Sequence, residues 1–275
     1  MAVKLILLDL DGTLLTSDKQ ISPANYRALE RCAAAGIHIV PSTGRFYSGM
    51  PAVVRELPFV RYVVAVNGAQ VYDAKENKIL CREEIGLDDA LRVFDALDAL
   101  PVIYDCYQDE SGYDDAAMYA RIDEFISDPH VNAMVKATRK PVPDLRAFLR
   151  ARGRPIQKLQ MFFKDMDRRA AELERLPKLF PDMAVSSSIT NNIEFNAKNA
   201  NKGQALRFLC RHLGLDVSES MSFGDSGNDL SMILAAGVGV AMANADPALL
   251  SAADYVTDAN DNDGVAKAIA KFCEI

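Results

Sequence analysis

Leu5-Ile6-Leu7-Leu8 runs without a break into Asp9-Leu10-Asp11-Gly12-Thr13. A short continuous apolar run predicts a strand buried on both faces, the kind found in parallel sheets. In extended backbone, residues two apart point the same way, so Asp9 and Asp11 are brought together at the strand's C-terminal end. Gly12 lets the chain turn there. Two carboxylates side by side cost free energy unless a cation or a proton lies between them. The rest of the chain has to supply that compensation.

Beyond the first strand the chain alternates between helix and strand. Ser22-Pro23 reads as an N-cap with proline in the first turn of a helix over 24–35, closed by Gly36. Ile37-His38-Ile39-Val40 predicts a second strand, ending in the turn Pro41-Ser42-Thr43-Gly44-Arg45. A helix is expected over 47–56, a strand over 62–66, a tight turn at Asn67-Gly68 and a hairpin-like return at 70–72. Such alternation predicts a doubly wound, mainly parallel α/β sheet, whose sites lie at the C-terminal ends of the strands. Asp9, Asp11, Thr43, Gly44 and Asn67 fall there.

Past Arg82 the alternation is lost. An amphipathic helix is predicted over 87–100 and a strand with some polar alternation over 102–107. A helix is expected over 113–127, then a basic, proline-punctuated stretch over 131–154 with a helix at 144–150. A strand over 156–164, a helix over 168–179 and paired antiparallel strands over 183–188 and 192–195 complete the stretch. It is expected to be an inserted α+β domain, 84–196, within a core made of 1–83 and 197–275. From Asn196 the first texture returns, with a helix over 201–213, a strand at 221–223, a helix over 230–236, strands over 238–241 and 255–257, and a helix over 264–272.

Composition narrows the function classes. A net charge of −7 over 275 residues argues against general nucleic-acid or anionic-membrane binding. No apolar run approaches the roughly 20 residues of a membrane span, and the N-terminal run is too short for a signal peptide. Five scattered cysteines, odd in number and without C-x-x-C, fit free thiols in a reducing compartment, so a cytoplasmic protein is expected. His38, His130 and His212 have no metal-ligand spacing.

Compensation for the opening pair comes late in the chain. Asp225 and Asp229 lie in Gly224-Asp225-Ser226-Gly227-Asn228-Asp229, another turn between a strand and a helix. Four aspartates without sulfur or imidazole form a hard oxygen donor set, which favours Mg²⁺ over Zn²⁺. Lys202 opens a helix, so its ammonium and the helix's free N–H groups can face one anion. Thr43 and Gly44 add a hydroxyl and an unobstructed amide. This combination suits a phosphoryl group, where the work is positioning and neutralising spreading charge. Thr43 as a helix cap and Arg45 as the partner of a surface acid are the plainer alternatives.

These residues resemble the four motifs of the haloacid dehalogenase-like phosphatases: Asp9-Leu10-Asp11-Gly12-Thr13, Ser42-Thr43-Gly44-Arg45, Lys202-Gly203, and the stretch from Gly224 to Asp229. The insert and Ala241-Met242-Ala243-Asn244-Ala245 are similar to the Cof-type subfamily IIB with a C2B cap. The resemblance implies a Rossmann-like core with Asp9 as nucleophile and Asp11 as general acid and base. It further implies that Thr43, Gly44 and Lys202 bind phosphate and that Asn228 contacts phosphate or orients Asp229; Arg45 is a candidate substrate contact. Mg²⁺ would be held by Asp9, the Asp11 backbone carbonyl and Asp225, with Asp229 as a ligand or just behind the ligands. It implies a phosphatase acting on a small phosphomonoester through an aspartyl-phosphate, with sugar phosphates first and FMN or pyridoxal phosphate next. The expected assembly is a monomer or small homo-oligomer, with neither nucleic acid nor membrane as partner. A phosphomutase and a catalytically silent phospholigand-binding protein are the alternatives.

Three other signals lead elsewhere. Gly237-Val238-Gly239 follows a helix, so it reads as a helix end and strand entry. Asp258-Ala259-Asn260-Asp261-Asn262-Asp263 begins like a calcium loop, but its glycine is one place late, at Gly264, and its twelfth position is Ile269. Tyr104, Tyr107, Tyr113 and Tyr119 are candidate substrate contacts in the insert, with packing as the plainer role.

Overall fold

The computed structural model describes residues 2–273. They form two compact units, one from residues 2–82 with 200–273 and one from Glu83–Asn199.

In the first unit, five strands form a parallel sheet in the spatial order Tyr255–Val256, Val238–Ala241, Ser220–Gly224, Leu5–Leu8, His38–Pro41. Leu5–Leu8 lies between two neighbours, and all four of its side chains are fully buried. Burial on this scale contributes roughly 2 kcal/mol per leucine or isoleucine. Leu8 sits opposite Phe223 and Pro41, so the turns at Asp9, Ser42 and Gly224 open at the same level. Helices Pro23–Ala34 and Gly264–Phe272 pack together on one face. Lys202–Leu213 and Leu230–Ile233 pack against each other, with Leu206 and Leu209 in the cluster that holds Leu5 and Leu7. Ser22 caps the first helix through Asn25 N–H, as its sequence predicts. Asn201 caps the helix of Lys202, and Gly214 ends it with a φ of 69°.

The helix expected over 47–56 needs correction, and the hairpin expected over 62–72 is present. Residues 47–56 do not form one helix. Pro51 lacks an N–H and divides them into a 3₁₀ turn, Tyr47–Gly49, and a single helical turn, Ala52–Arg55. Strand Tyr62–Ala65 joins the parallel sheet only through bridges at Val60 and Val64. Its ladder is instead antiparallel to Gln70–Asp73, which pairs in turn with Lys78–Arg82.

The second unit is built on a six-stranded sheet in the order Met183–Ser186, Asn192–Ala197, Lys158–Phe163, Val102–Gln108, Ser111–Asp115, Arg139–Val142. All pairs are antiparallel except the last. One face buries Tyr104, Cys106, Leu159, Met161, Ile193 and Phe195 with Phe94, Leu149 and Leu176 from three helices. The opposite face is equally buried, apolar at Ile103 and Phe162 and polar in the rows beyond them. Arg139, Gly112, Tyr107 and Lys158 lie in register across it, and the next row holds Asp114, Asp105, Gln160 and Glu194.

The helix expected over 113–127 is absent. Asp109 and Glu110 both adopt positive φ, the conformation of a two-residue hairpin turn, and send Ser111–Asp115 back along Val102–Gln108. Only two single turns, Ala116–Tyr119 and Ile122–Phe125, follow. The basic stretch contains helix Pro129–Thr138 and edge strand Arg139–Val142, whose Pro141 suits a sheet edge. Tyr104 stacks near Phe94 and Tyr113 near Phe148, and Tyr119 donates to the Lys136 carbonyl. These three are packing residues. The Tyr107 ring lies between Arg139 and Lys158.

Candidate active site

Register sets the site. Asp9 N–H donates to the Phe223 carbonyl and Ser42 N–H to the Leu8 carbonyl, so the last rungs of the ladder hold the Asp9, Ser42 and Gly224 turns together. Gly12 turns the chain with a φ of 85°, and a Cβ there would lie 2.5 Å from the Asp225 carboxylate. Only glycine brings the first turn this close to the fourth-motif turn.

Lys202 is fully buried at the centre. Its Nζ donates to Asp9 Oδ1 at 2.5 Å, Asp229 Oδ1 at 2.6 Å and the Ser42 carbonyl at 3.2 Å. Burial pulls the ammonium down, but Asp229 and Asp9 outweigh that and hold it above its ordinary range. The other Asp229 oxygen accepts the Asp225 and Ser226 amides, both at 3.0 Å. Asp225 accepts from Thr13 Oγ1 at 2.7 Å and Ser226 Oγ at 2.9 Å.

Among the described residues, Asp9, Asp225 and Asp229 form a cluster whose contributing carboxylate oxygens all lie within 4.8 Å of one another. Burial raises Asp9 well above the usual carboxylate range, and Asp229 and Asp225 add to it; Lys202 offsets only part. Burial and then Asp229 push Asp225 up to about 7. One lysine is therefore too little cation for three acids. An all-oxygen, acid-rich set of this kind fits a hard divalent cation.

Asp11 has a different environment. Arg45 donates to its Oδ2 from Nε at 3.0 Å and Nη2 at 2.8 Å, and Lys19 Nζ donates to its Oδ1 at 2.8 Å. Burial pushes this carboxyl up, but Arg45 and Lys19 outweigh it and leave it below its ordinary value. Arg45 thus pairs with an acid, and that acid belongs to the site.

Thr43 is buried; its hydroxyl accepts the Arg45 amide and its carbonyl accepts the Asn67 amide. Asn67 Oδ1 accepts from Asn228 Nδ2 at 3.0 Å, which ties the third strand's turn to the fourth motif. Val66 and Asn67 both have positive φ, rare for a β-branched residue, and such strain gathers at functional sites. All nine sequence-derived candidates, Asp9, Asp11, Thr43, Gly44, Arg45, Lys202, Asn228, Asp225 and Asp229, lie in this unit, in or beside turns at one end of the sheet. Thr13, Lys19, Asn67 and Asn244 also reach the site's residues. Thr13 and Asn244 lie within stretches that carry the resemblance and Asn67 in an Asn-Gly turn, whereas Lys19 carries no local signal. Neither His38 nor His212 belongs to it; both pack against Tyr62.

Comparison with known proteins agrees with this geometry. A family model described as haloacid dehalogenase-like hydrolase matches residues 6–269. Phosphatase YwpJ of Bacillus subtilis is 32% identical over 96% of this chain and 98% of its own. The 5-amino-6-(5-phospho-D-ribitylamino)uracil phosphatase YcsE, also of B. subtilis, is 30% identical over 97% and 94%. A solved haloacid dehalogenase-like hydrolase from B. subtilis superimposes with a TM-score of 0.83 at 29% identity, covering 98% of this chain and 99% of that one. The chain therefore belongs to the haloacid dehalogenase-like hydrolases, and relatives such as YwpJ and YcsE are named phosphatases.

Proposed function

We propose that the chain is a Mg²⁺-dependent phosphatase that hydrolyses a small phosphomonoester through an aspartyl-phosphate. The observation that carries this reading is the buried Lys202, bonded to both Asp9 and Asp229 beside the three-carboxylate cluster.

In this reading Asp9 attacks phosphorus in line with the ester oxygen. The P–O bond to the leaving group breaks, and Asp11 gives that oxygen its proton. Asp11 then takes a proton from the water that attacks the aspartyl-phosphate, releasing phosphate and restoring Asp9. Lys202, Thr43, the Gly44 amide and Asn228 neutralise and orient the phosphoryl oxygens. Asp9, Asp225 and the Asp11 backbone carbonyl would hold Mg²⁺, which when bound neutralises charge on the nucleophile and the phosphoryl group. Asp229 is committed on both oxygens to Lys202 and to the Asp225 and Ser226 amides, so it would orient these groups rather than hold the metal itself. Arg45 and Lys19 favour the ionised form of Asp11, the form that accepts a proton from water, and the proton gained there is the one given to the next leaving oxygen.

The second unit is assigned the choice of leaving group. Similarity to a relative named for a phosphoribityl compound supports a phosphorylated polyol or sugar. Borohydride trapping during turnover tests the nucleophile, since it reduces an acyl phosphate to homoserine. The expected outcome is homoserine at position 9, release of free phosphate, and loss of at least about a thousandfold in kcat for Asp9→Asn. Homoserine elsewhere, or full activity in the variant, refutes the reading.

A further inference from the structure

The acidic stretch from Asp258 to Asp263, which is not a calcium loop, does have a structural task. Asp261 accepts from Ser17 N–H at 2.8 Å and from Ser17 Oγ at 2.6 Å. Asn260 Nδ2 donates to the Leu15 carbonyl at 2.9 Å, and Ser22 Oγ donates to Asp263 at 2.5 Å. Asn244 Nδ2 donates to the Gly12 carbonyl at 2.8 Å while its Oδ1 accepts the Asn260 amide. The segment from Gly12 to Ser22 is thereby fastened along its length to loops more than two hundred residues away.

Within that segment Leu15 pairs with Ile21, and Thr16 N–H donates to the Gln20 carbonyl, closing a small hairpin. Lys19 lies in its turn with a φ of 59°. A lysine holds this conformation only where its surroundings impose it. The result is that Lys19 Nζ reaches Asp11 Oδ1, while Arg45 occupies Oδ2. Each carboxylate oxygen has its own cation, arriving from a different part of the chain.

We propose that Lys19 is a positioning residue for Asp11, aimed by the clasp that Asp261 makes on Ser17. Lys19 fixes the rotation of the Asp11 carboxyl group, so that the oxygen that exchanges a proton with the leaving group keeps one orientation. The inference rests on the reading of Asp11 as proton donor, and substrates of different proton demand separate the two. An alkyl phosphate needs its leaving oxygen protonated. The phenolate of p-nitrophenyl phosphate departs without a proton.

The experiment measures kcat/KM, which reports only the steps up to departure of the leaving group and excludes the later attack of water, on both substrates for Lys19→Met, Lys19→Arg, Asp261→Ala, Lys19→Met with Asp261→Ala, and Asp11→Asn. Lys19→Met is expected to lower kcat/KM on the alkyl phosphate by about tenfold to a hundredfold, the range of a misplaced catalytic group. On the aryl phosphate the loss in kcat/KM is expected to stay below about threefold. Lys19→Arg restores most of the alkyl activity. Asp261→Ala shows the same selectivity and adds nothing in the double variant. If Asp11→Asn is selective and Lys19→Met is not, the positioning role is refuted and the reading of Asp11 stands. If Asp11→Asn affects both substrates equally, both are refuted.

Discussion

Replacing Lys202 with methionine is the most informative single perturbation of the site. The side chain is fully buried, and its ammonium has three acceptors within 3.2 Å. Methionine fills much of the same space, so the main loss is charge. Removing one partner of a buried ion pair typically costs about 3–5 kcal/mol, because the remaining charge is left without compensation. Here the remainder is a cluster of three carboxylates. For a domain of this size each kcal/mol moves the midpoint by roughly 2–4 °C, so melting should fall by about 6–20 °C. The assay is calorimetry with a chelator present. Asp9→Asn added to Lys202→Met removes one uncompensated charge and should recover a substantial part of the loss. A Lys202→Met midpoint within about 2 °C of the parent, or a double variant no more stable than Lys202→Met, would show that the ammonium does not compensate these acids.

Two further outcomes rest on the packing. In the second unit, burial and then the neighbouring Asp105 push the Asp114 carboxyl up to about 8, so the folded state holds its proton more tightly than the unfolded chain. Its contribution to stability is full below pH ~4 and is lost as the pH rises through about 8, with a slope of at most about 1.4 kcal/mol per pH unit. Asp114→Asn should flatten denaturation midpoints across that window; parallel curves for parent and variant would contradict the assignment. At Gly203 a Cβ would lie 2.2 Å from the Ser231 carbonyl oxygen, so Gly203→Ala should cost about 1–3 kcal/mol, read as a lower melting temperature.

Much of the first unit is legible because its signals are local. An apolar run ending in Asp-x-Asp-Gly, a Ser-Pro helix start and a Gly214 helix end each specify backbone within a few residues. The chemistry-bearing residues share one end of the sheet because parallel strands put their C-termini there. The second unit is less legible for equally physical reasons. The hairpin turn at Asp109-Glu110 uses positive φ without glycine or asparagine. The strand Arg139–Val142 carries a proline and two basic residues. The polar alternation expected over 102–107 is of the kind that leaves one strand face to solvent, yet Asp105 is buried, as are Lys158, Gln160 and Glu194 on the same face. Thr13, Lys19 and Asn244 matter through contacts that no local pattern encodes. Thr13 meets Asp225 across 212 positions, and Asn244 meets Gly12 across 232.

The two aspartates at the end of the first strand have environments that invert the simplest assignment of roles. Of two carboxyls whose environments push them apart, the raised one ordinarily serves as acid and the lowered one as nucleophile. Here Asp9 is raised and Asp11 is lowered. By that rule Asp11 would attack phosphorus and Asp9 would donate the proton. Geometry argues the reverse. Asp9 belongs to the three-carboxylate cluster, whose excess negative charge adds to burial in raising it. A cation held there would restore the ionised form that a nucleophile needs. Asp11 is outside that cluster, with each oxygen held by its own cationic side chain. Its carboxyl is left to exchange protons rather than to join the cluster, which is what an acid that must also serve as base requires. The residue that borohydride marks separates these assignments: homoserine at position 9 supports the geometric assignment, and homoserine at position 11 would mean that the lowered carboxyl is the nucleophile.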